Sequence, residues 1–152
     1  MSVELSYWKL VAPHWDRISI HNGPGGFLRE FADTPEPNRH LFAAHWCQSE
    51  VCNGGLDLFF SNSTGVLAPE AVAAFNAIGL PGLASVVQRA MALLGKSYPR
   101  DREARNEVLD RLQEVAESNP FDSLDVEFSK LVEEEGGGWE ASANKYAASH
   151  GG

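Results

Sequence analysis

An all-α fold is what this sequence predicts: one domain over residues 1–152, a compact bundle of about seven short helices around an Asn-Gly-Gly turn. Three observations lead there. Apolar residues recur at three- and four-residue spacing along most of the chain, as a core-facing helix stripe requires. Glycine and proline punctuate the ends of those stretches, where helices stop and start. A single stretch, Arg17 to Ile20, has extended character, and no second alternating run exists to pair with it. At 43% apolar residues, with 4 Trp, 8 Phe and 3 Tyr, the chain can bury one core without metal or disulfide staples.

Residues 1–33 form the less regular part, and 34–152 the core. Tyr7, Trp8, Val11, Trp15 and Ile18 line a helix broken near Pro13, and Asn22-Gly23-Pro24-Gly25-Gly26 is a flexible turn before Phe27 to Phe31. Thr34-Pro35-Glu36 reads as the cap and first turn of a helix that runs through Trp46 to Val51 and ends at Asn53, because Asn53-Gly54-Gly55 reaches left-handed backbone conformations that other residues resist. Phe59 and Phe60 return the chain to the core, and this turn is expected to pack between the Arg39–Val51 and Leu83–Leu94 helices. Ala68 to Ile78 opens with Pro69-Glu70 and closes at Gly79 with Pro81 beyond. Leu83, Val86, Val87, Ala90, Met91 and Leu94 form the clearest stripe, closed by Gly95.

Asp101 is the N-cap of a helix that turns Ala104, Val108, Leu109, Leu112 and Val115 inward. Asp101 with Arg105, and Glu107 with Arg111, are then i, i+4 pairs on its outer face. Ser118-Asn119-Pro120 stops it. Leu124, Phe128 and Leu131 mark the next helix, Gly136-Gly137-Gly138 interrupts, and Trp139, Ala143 and Tyr146 mark a last short one.

Charge narrows the partners. The formal net charge is −9, and the stretch from Glu114 to Glu140 holds nine acids against the single base Lys130, so it carries nearly all of it. Such a chain repels nucleic acid and anionic membranes and suits a basic partner. No apolar run approaches the ~18 residues of a membrane span, and Met1 to Leu5 lacks the basic and hydrophobic segments of a signal peptide, so the cytoplasm is the expected compartment. Cys47 and Cys52 lie on different faces of one helix and are expected as buried, reduced thiols.

The residues around the turn carry a family resemblance. Trp46, Glu50, Val51, Asn53, Gly54, Gly55, Asp57, Phe59, Phe60, Asn62, Ser63 and Gly65, then Ala68-Pro69-Glu70-Ala71, Ile78-Gly79 and Tyr98-Pro99-Arg100-Asp101-Arg102, make the chain resemble the DNA mimic protein 19 family, an all-helical bacterial family. Leu56 and Leu58 depart from its pattern, standing where Phe and Gln are usual; the second puts in doubt any polar site built there. The resemblance implies a non-enzymatic protein that presents an acidic surface to a basic DNA-binding protein, such as a transcription factor or a nuclease, in place of DNA and regulates it, as a homodimer. The acids expected to supply that face are Glu114, Glu117, Asp122, Asp125, Glu127, Glu133, Glu134 and Glu135, because carboxylates three or four residues apart on a helix lie about 5–6 Å from one another. An immunity-type inhibitor of a nuclease toxin would use the same electrostatics.

Other chemistry has less support. His40, His45, Cys47 and Cys52 are zinc-ligand types, but His40 with Cys47 and His45 with Cys52 are two helical turns apart and face different directions, so neither a metal nor another cofactor is expected. No oxyanion-forming loop accompanies the cysteines, and the glycine runs lack the strand and Lys-Ser/Thr of a phosphate loop. A small-ligand or enzyme site built from Glu50, Asp57 and Asn62 remains the alternative. Their structural reading is turn chemistry: Glu50 or Asp57 accepting from the amides of residues 53–55, and Asn62 capping the next element.

Overall fold

The computed structural model of the protein describes Tyr7, Arg29, Phe31, Ala32, Thr34 and residues 38–115 and 119–150. The expectations for Trp8 to Ile18, for the Asn22–Gly26 turn and for Glu117 lie outside these residues. Among the described residues from 38 on, six α-helices and two 3-10 turns follow in order: α1 Asn38–Ser61, a 3-10 turn Ser63–Leu67, α2 Ala68–Ile78, α3 Pro81–Ala92, α4 Arg102–Val115, α5 Asp122–Glu134, a 3-10 turn Glu135–Gly137 and α6 Trp139–His150. No strand occurs among the described residues, so the all-α expectation holds.

α1 is the axis of the bundle; α2, α4 and α5 all pack on it, and α3 bridges α2 to α5. It opens at Asn38, four residues after Thr34, whose buried amide donates to the Phe31 carbonyl at 3.0 Å; Pro35 and Glu36 of the expected cap lie outside the described residues. The expected stop at Asn53 is a kink instead. Gly54 and Gly55 leave helical geometry, Gly55 at φ +82°, and the helix resumes through Leu56 to Ser61. This places Leu56, Phe59 and Phe60 in the core, each fully buried.

Two aromatic nests fill the interior. Phe60 packs on Phe59, Tyr98 and Phe121 at ring separations of 5.7, 6.0 and 5.5 Å, and Phe75 makes edge contacts with Phe128 and Trp139 at 6.3 and 6.0 Å. Edge and tilted geometries set positive ring edges against negative faces, adding to the area each ring removes from water. The α3 stripe is buried as its spacing predicts except for the half-buried Met91, and α2 ends where Gly79 turns left-handed at φ +96°, its amide bonding back to Phe75 and Asn76.

α4 departs from its expected orientation. Asp101 does cap it, its carboxylate accepting the Ala104 amide at 3.0 Å. Arg105, placed on the outer face by spacing, is fully buried, whereas Val115, expected inside, is 83% exposed. The reason is a demand for donors inside the fold: Arg105 reaches the carbonyls of Phe60, Asn62, Pro99 and Arg100, and the helix rotates to bring it in. Arg111 likewise turns its Nε to the Glu107 carbonyl, 3.4 Å away, in place of the expected carboxylate pair.

Candidate protein-binding face

The kink is where most of the singled-out residues meet. Gly55 needs its missing side chain twice over: its φ is left-handed, and a Cβ there would lie 2.9 Å from the Asp125 carboxylate. That carboxylate, reaching across from α5, accepts the Leu56 amide at 2.8 Å and so caps the second arm of α1. The cap is neither Glu50 nor Asp57, as turn chemistry suggested. Glu50 reaches past the kink to Asn62 Nδ2, 3.4 Å, and Thr64 Oγ1, 3.2 Å, tying the two arms together. Asp57 accepts from the Gln113 amide of α4 at 3.1 Å. The kink therefore sits against α4 and α5, not between the first arm and α3. Asn62 stands at the start of the 3-10 turn, but its side chain goes to Glu50 without capping it.

Beyond the kink, carbonyls at the end of α1 and in the 3-10 turn receive donors from the segment 98–105. Arg105 donates to Phe60 and Asn62, both at 2.8 Å, and to Arg100 at 2.6 Å. Arg102 donates to Ser61 at 2.8 Å, Tyr98 to Gly65 at 2.6 Å, and Arg100 to Val66 at 2.7 Å while it pairs with Glu70 through both nitrogens. Burial pushes the Arg105 pKa down and the Tyr98 pKa up. A cation at a helix C-terminus also meets the negative end of the helix dipole. Gly65 is required here, since a Cβ would lie 2.8 Å from Arg105 Nε.

The eight acids expected to form one face divide by role. Asp125 is the kink's cap, and Glu135 caps α3, taking the Gly82 and Leu83 amides at 2.6 and 3.0 Å. Glu127 pairs with Arg89 at 2.7 Å on the surface, which holds its pKa below the usual carboxylate value. Glu114, Asp122, Glu133 and Glu134 are exposed, and Glu117 lies outside the described residues. Asp125 turns inward from its i−3 neighbour Asp122, so these two do not form the outward-facing pair that spacing suggested.

Spacing did hold a better row, one that the acid count of 114–140 passed over. Glu103, Glu107, Asp110 and Glu114 are all exposed on α4, at i, i+4, i+7 and i+11. At 100° per residue they fall within about 60° of one another, opposite the buried Arg105 and Leu109, and extend over roughly 16 Å. Arg111 flanks the row. The signal is in the sequence, where the same spacing also offers Glu107 to Arg111 as an i, i+4 pair.

The metal-ligand types separate. His40 Nδ1 meets the Tyr146 hydroxyl at 2.8 Å, His45 Nδ1 meets the Tyr7 hydroxyl at 3.1 Å, and Cys47 is buried. Cys52 is exposed, against expectation; both cysteines are free thiols, pushed up in pKa by burial first. Among the described residues no three His, Cys, Asp or Glu side chains are placed to hold a metal ion. Burial lowers the pKa of His45 to about 4. Two open clefts of about 300 and 290 Å³ flank the triple-glycine segment, one beside Glu133 and Glu140, the other beside Lys145 and Ser149; neither is lined by Glu50, Asp57 or Asn62.

The model of the family described as DMP19-like protein matches residues 32–150, most of the chain and all six helices described above. The chain belongs to that family. No curated protein and no solved structure matches it. For this DMP19-like protein the residues that carried the resemblance turn out to be architectural: Glu50, Gly55, Asn62 and Gly65 set the kink, while Tyr98, Arg100 and Arg102 clasp its carbonyls. Leu56, where the family usually has Phe, fills a core position. Leu58, where Gln is usual, lies over Gly54 so closely that a Cβ there would meet its Cδ2 at 2.5 Å. Among the described residues no helix is long and apolar enough to cross a membrane.

Proposed function

We propose that this DMP19-like protein is a non-enzymatic DNA mimic of the cytoplasm, which occupies the basic surface of a DNA-binding protein and thereby regulates it, as a homodimer. The observation that supports the reading is the α4 row. Four exposed carboxylates stand on a helix whose opposite side is locked by the buried Arg105 and Leu109. Neighbours one turn apart are about 5–6 Å from each other, so a basic groove meets a row of charges whose spacing is set by the helix that carries them. Asp122 on α5 and the half-buried Asp57 at the kink extend the negative surface beyond Gln113.

The test is capture of a DNA-binding protein from the native lysate by the wild type and by a variant carrying E103Q, E107Q, D110N and E114Q. The expected result is a partner that duplex DNA displaces, that is lost steeply as salt rises, and that the variant no longer retains. Equal capture by the variant, at any salt, overturns the assignment to α4. A partner indifferent to duplex DNA overturns mimicry.

A further inference from the structure

Tyr7 is wedged between two helices that lie far from it in sequence. α6 packs chiefly on the second 3-10 turn, α5 and α2, and the Tyr7 ring stands between it and the first arm of α1, 5.4 Å from Trp139 in an edge contact and 5.8 Å from His45. The residue is 2% exposed, and side chains hold both its main chain and its side chain. Its amide donates to Asn144 Oδ1 at 3.1 Å, and its hydroxyl meets His45 Nδ1 at 3.1 Å. Burial keeps His45 neutral, so in one tautomer Nδ1 accepts the phenol proton. Burial also raises the Tyr7 pKa, and the indole N–H of Trp139, buried and short of a full hydrogen bond, pulls it part of the way back. Packing alone needs only the ring. A carboxamide that takes the peptide N–H, with polar atoms from two helices around the hydroxyl, reads a tyrosyl residue as a peptide-binding site does: main chain by hydrogen bond, side chain by pocket. Walls and occupant are also separable along the chain. His45, Trp139 and Asn144 lie within the stretch 32–150 that the family model matches, and Tyr7 lies before it.

We propose that the space between the first arm of α1 and α6 is a receptor site for a tyrosyl residue of a peptide chain, and that this protein keeps it closed with its own Tyr7. His45 reads the hydroxyl, Asn144 reads the peptide N–H, and Trp139 forms the wall against which the ring stands. A residue tethered in cis competes at an effective concentration on the order of millimolar, so a peptide in trans enters only when Tyr7 is withdrawn. Tyr7 is thus a plug, and whatever withdraws it uncovers a site for a tyrosine-bearing peptide. This site is built from α1 and α6 and stands apart from the acidic row of α4.

The full chain carrying Tyr7→Ala tests this, with N-acetyltyrosinamide as the probe, because that molecule has both the phenol and the N–H that the contacts read. At about ten times its Kd the probe is expected to raise the melting temperature of the variant by about 3–6 °C and to leave wild type, whose site is filled, unmoved. Should Tyr7→Ala be unfolded alone, the probe is expected to restore its native far-UV circular dichroism, since a ligand of the folded state draws the equilibrium toward it. N-acetylphenylalaninamide, which lacks the hydroxyl, should bind about 2- to 10-fold more weakly, and so should N-acetyltyrosinamide to the double variant Tyr7→Ala, Asn144→Leu. Binding that ignores both the hydroxyl and Asn144 reports only the hole left by truncation and overturns the receptor. No response of Tyr7→Ala overturns it as well, and so does an equal shift of wild type, which puts the probe elsewhere on the protein.

Discussion

Replacing Arg105 by alanine is the most direct perturbation of this fold. The side chain is fully buried and serves four carbonyls: Phe60 and Asn62 at 2.8 Å, Arg100 at 2.6 Å and Pro99 at a longer 3.3 Å, with Asn62 also receiving the Gly65 amide at 3.0 Å. Losing the bond to the Phe60 carbonyl costs about 1–3 kcal/mol, and losing the others about 1 kcal/mol more. The void left by the side chain adds about 1–2 kcal/mol. Against this, the variant no longer buries a cation without a carboxylate beside it, a burden that shows in the downward shift of the Arg105 pKa. Relief of about 1–2 kcal/mol leaves a net loss of about 2–4 kcal/mol, a large part of the stability of an ordinary domain. Urea denaturation followed by far-UV circular dichroism measures it. Arg105→Lys should recover only part, because one ammonium cannot meet carbonyls that a planar fork reaches from several sides. Arg102→Ala, which removes one bond from an exposed side chain, should lose no more than about 1 kcal/mol. If Arg105→Ala unfolds within about 0.5 kcal/mol of wild type, or no earlier than Arg102→Ala, the clasp does not hold α1 as argued.

Three further outcomes follow from the same contacts. Glu135→Ala uncaps α3 at Gly82 and Leu83 and should cost about 1–2 kcal/mol in chemical denaturation, whereas Glu135→Gln keeps an acceptor and should cost less. Gly55→Ala puts a Cβ on a left-handed residue and against Asp125, so a loss of about 2–3 kcal/mol is expected; a melting temperature equal to that of wild type would contradict the kink geometry. His45 is half-buried and held neutral, with a pKa of about 4 against 6.5 when unfolded, so the unfolded chain binds a proton that the native chain refuses. Stability should fall as pH drops from about 6.5 to 4, by up to about 2–3 kcal/mol, and His45→Gln should flatten that part of the pH profile.

The elements that sequence disclosed best were those whose signals are local. The α3 stripe, the Gly79 stop, the Asp101 cap and the inward Trp139, Ala143 and Tyr146 of α6 each follow from periodicity or from a cap a few residues away. What stayed hidden depends on groups far apart in the chain. Asn53-Gly54-Gly55 was legible as a break, but the resumption of the helix depends on a cap supplied by Asp125, 69 residues from the amide it receives. Spacing turns Arg105 outward, since a cation on an amphipathic helix ordinarily faces water; its burial follows from its bonds to the carbonyls of residues 60 and 62. The inward turn of two of the candidate acids was hidden for a related reason. Counting acids by stretch of sequence cannot distinguish a carboxylate that caps a helix from one that faces solvent, and both Asp125 and Glu135 were of the first kind.

That division bears on what family membership carries. The diagnostic residues at the kink and in the 98–102 segment are consumed by hydrogen bonds inside the molecule: Glu50 with Asn62 and Thr64, Tyr98 with Gly65, Arg100 with Glu70 and Val66. Substituting them acts on the scaffold first, so loss of partner binding in such a variant says nothing about contact. The carboxylates of α4 are the reverse. They face water, opposite the core, and neutral amides in their place leave every bond of the clasp intact. In this chain the kink thus serves the fold, and under the proposed function the partner meets residues outside the motif, where the row at 103, 107, 110 and 114 can change its charge without changing the helix that carries it.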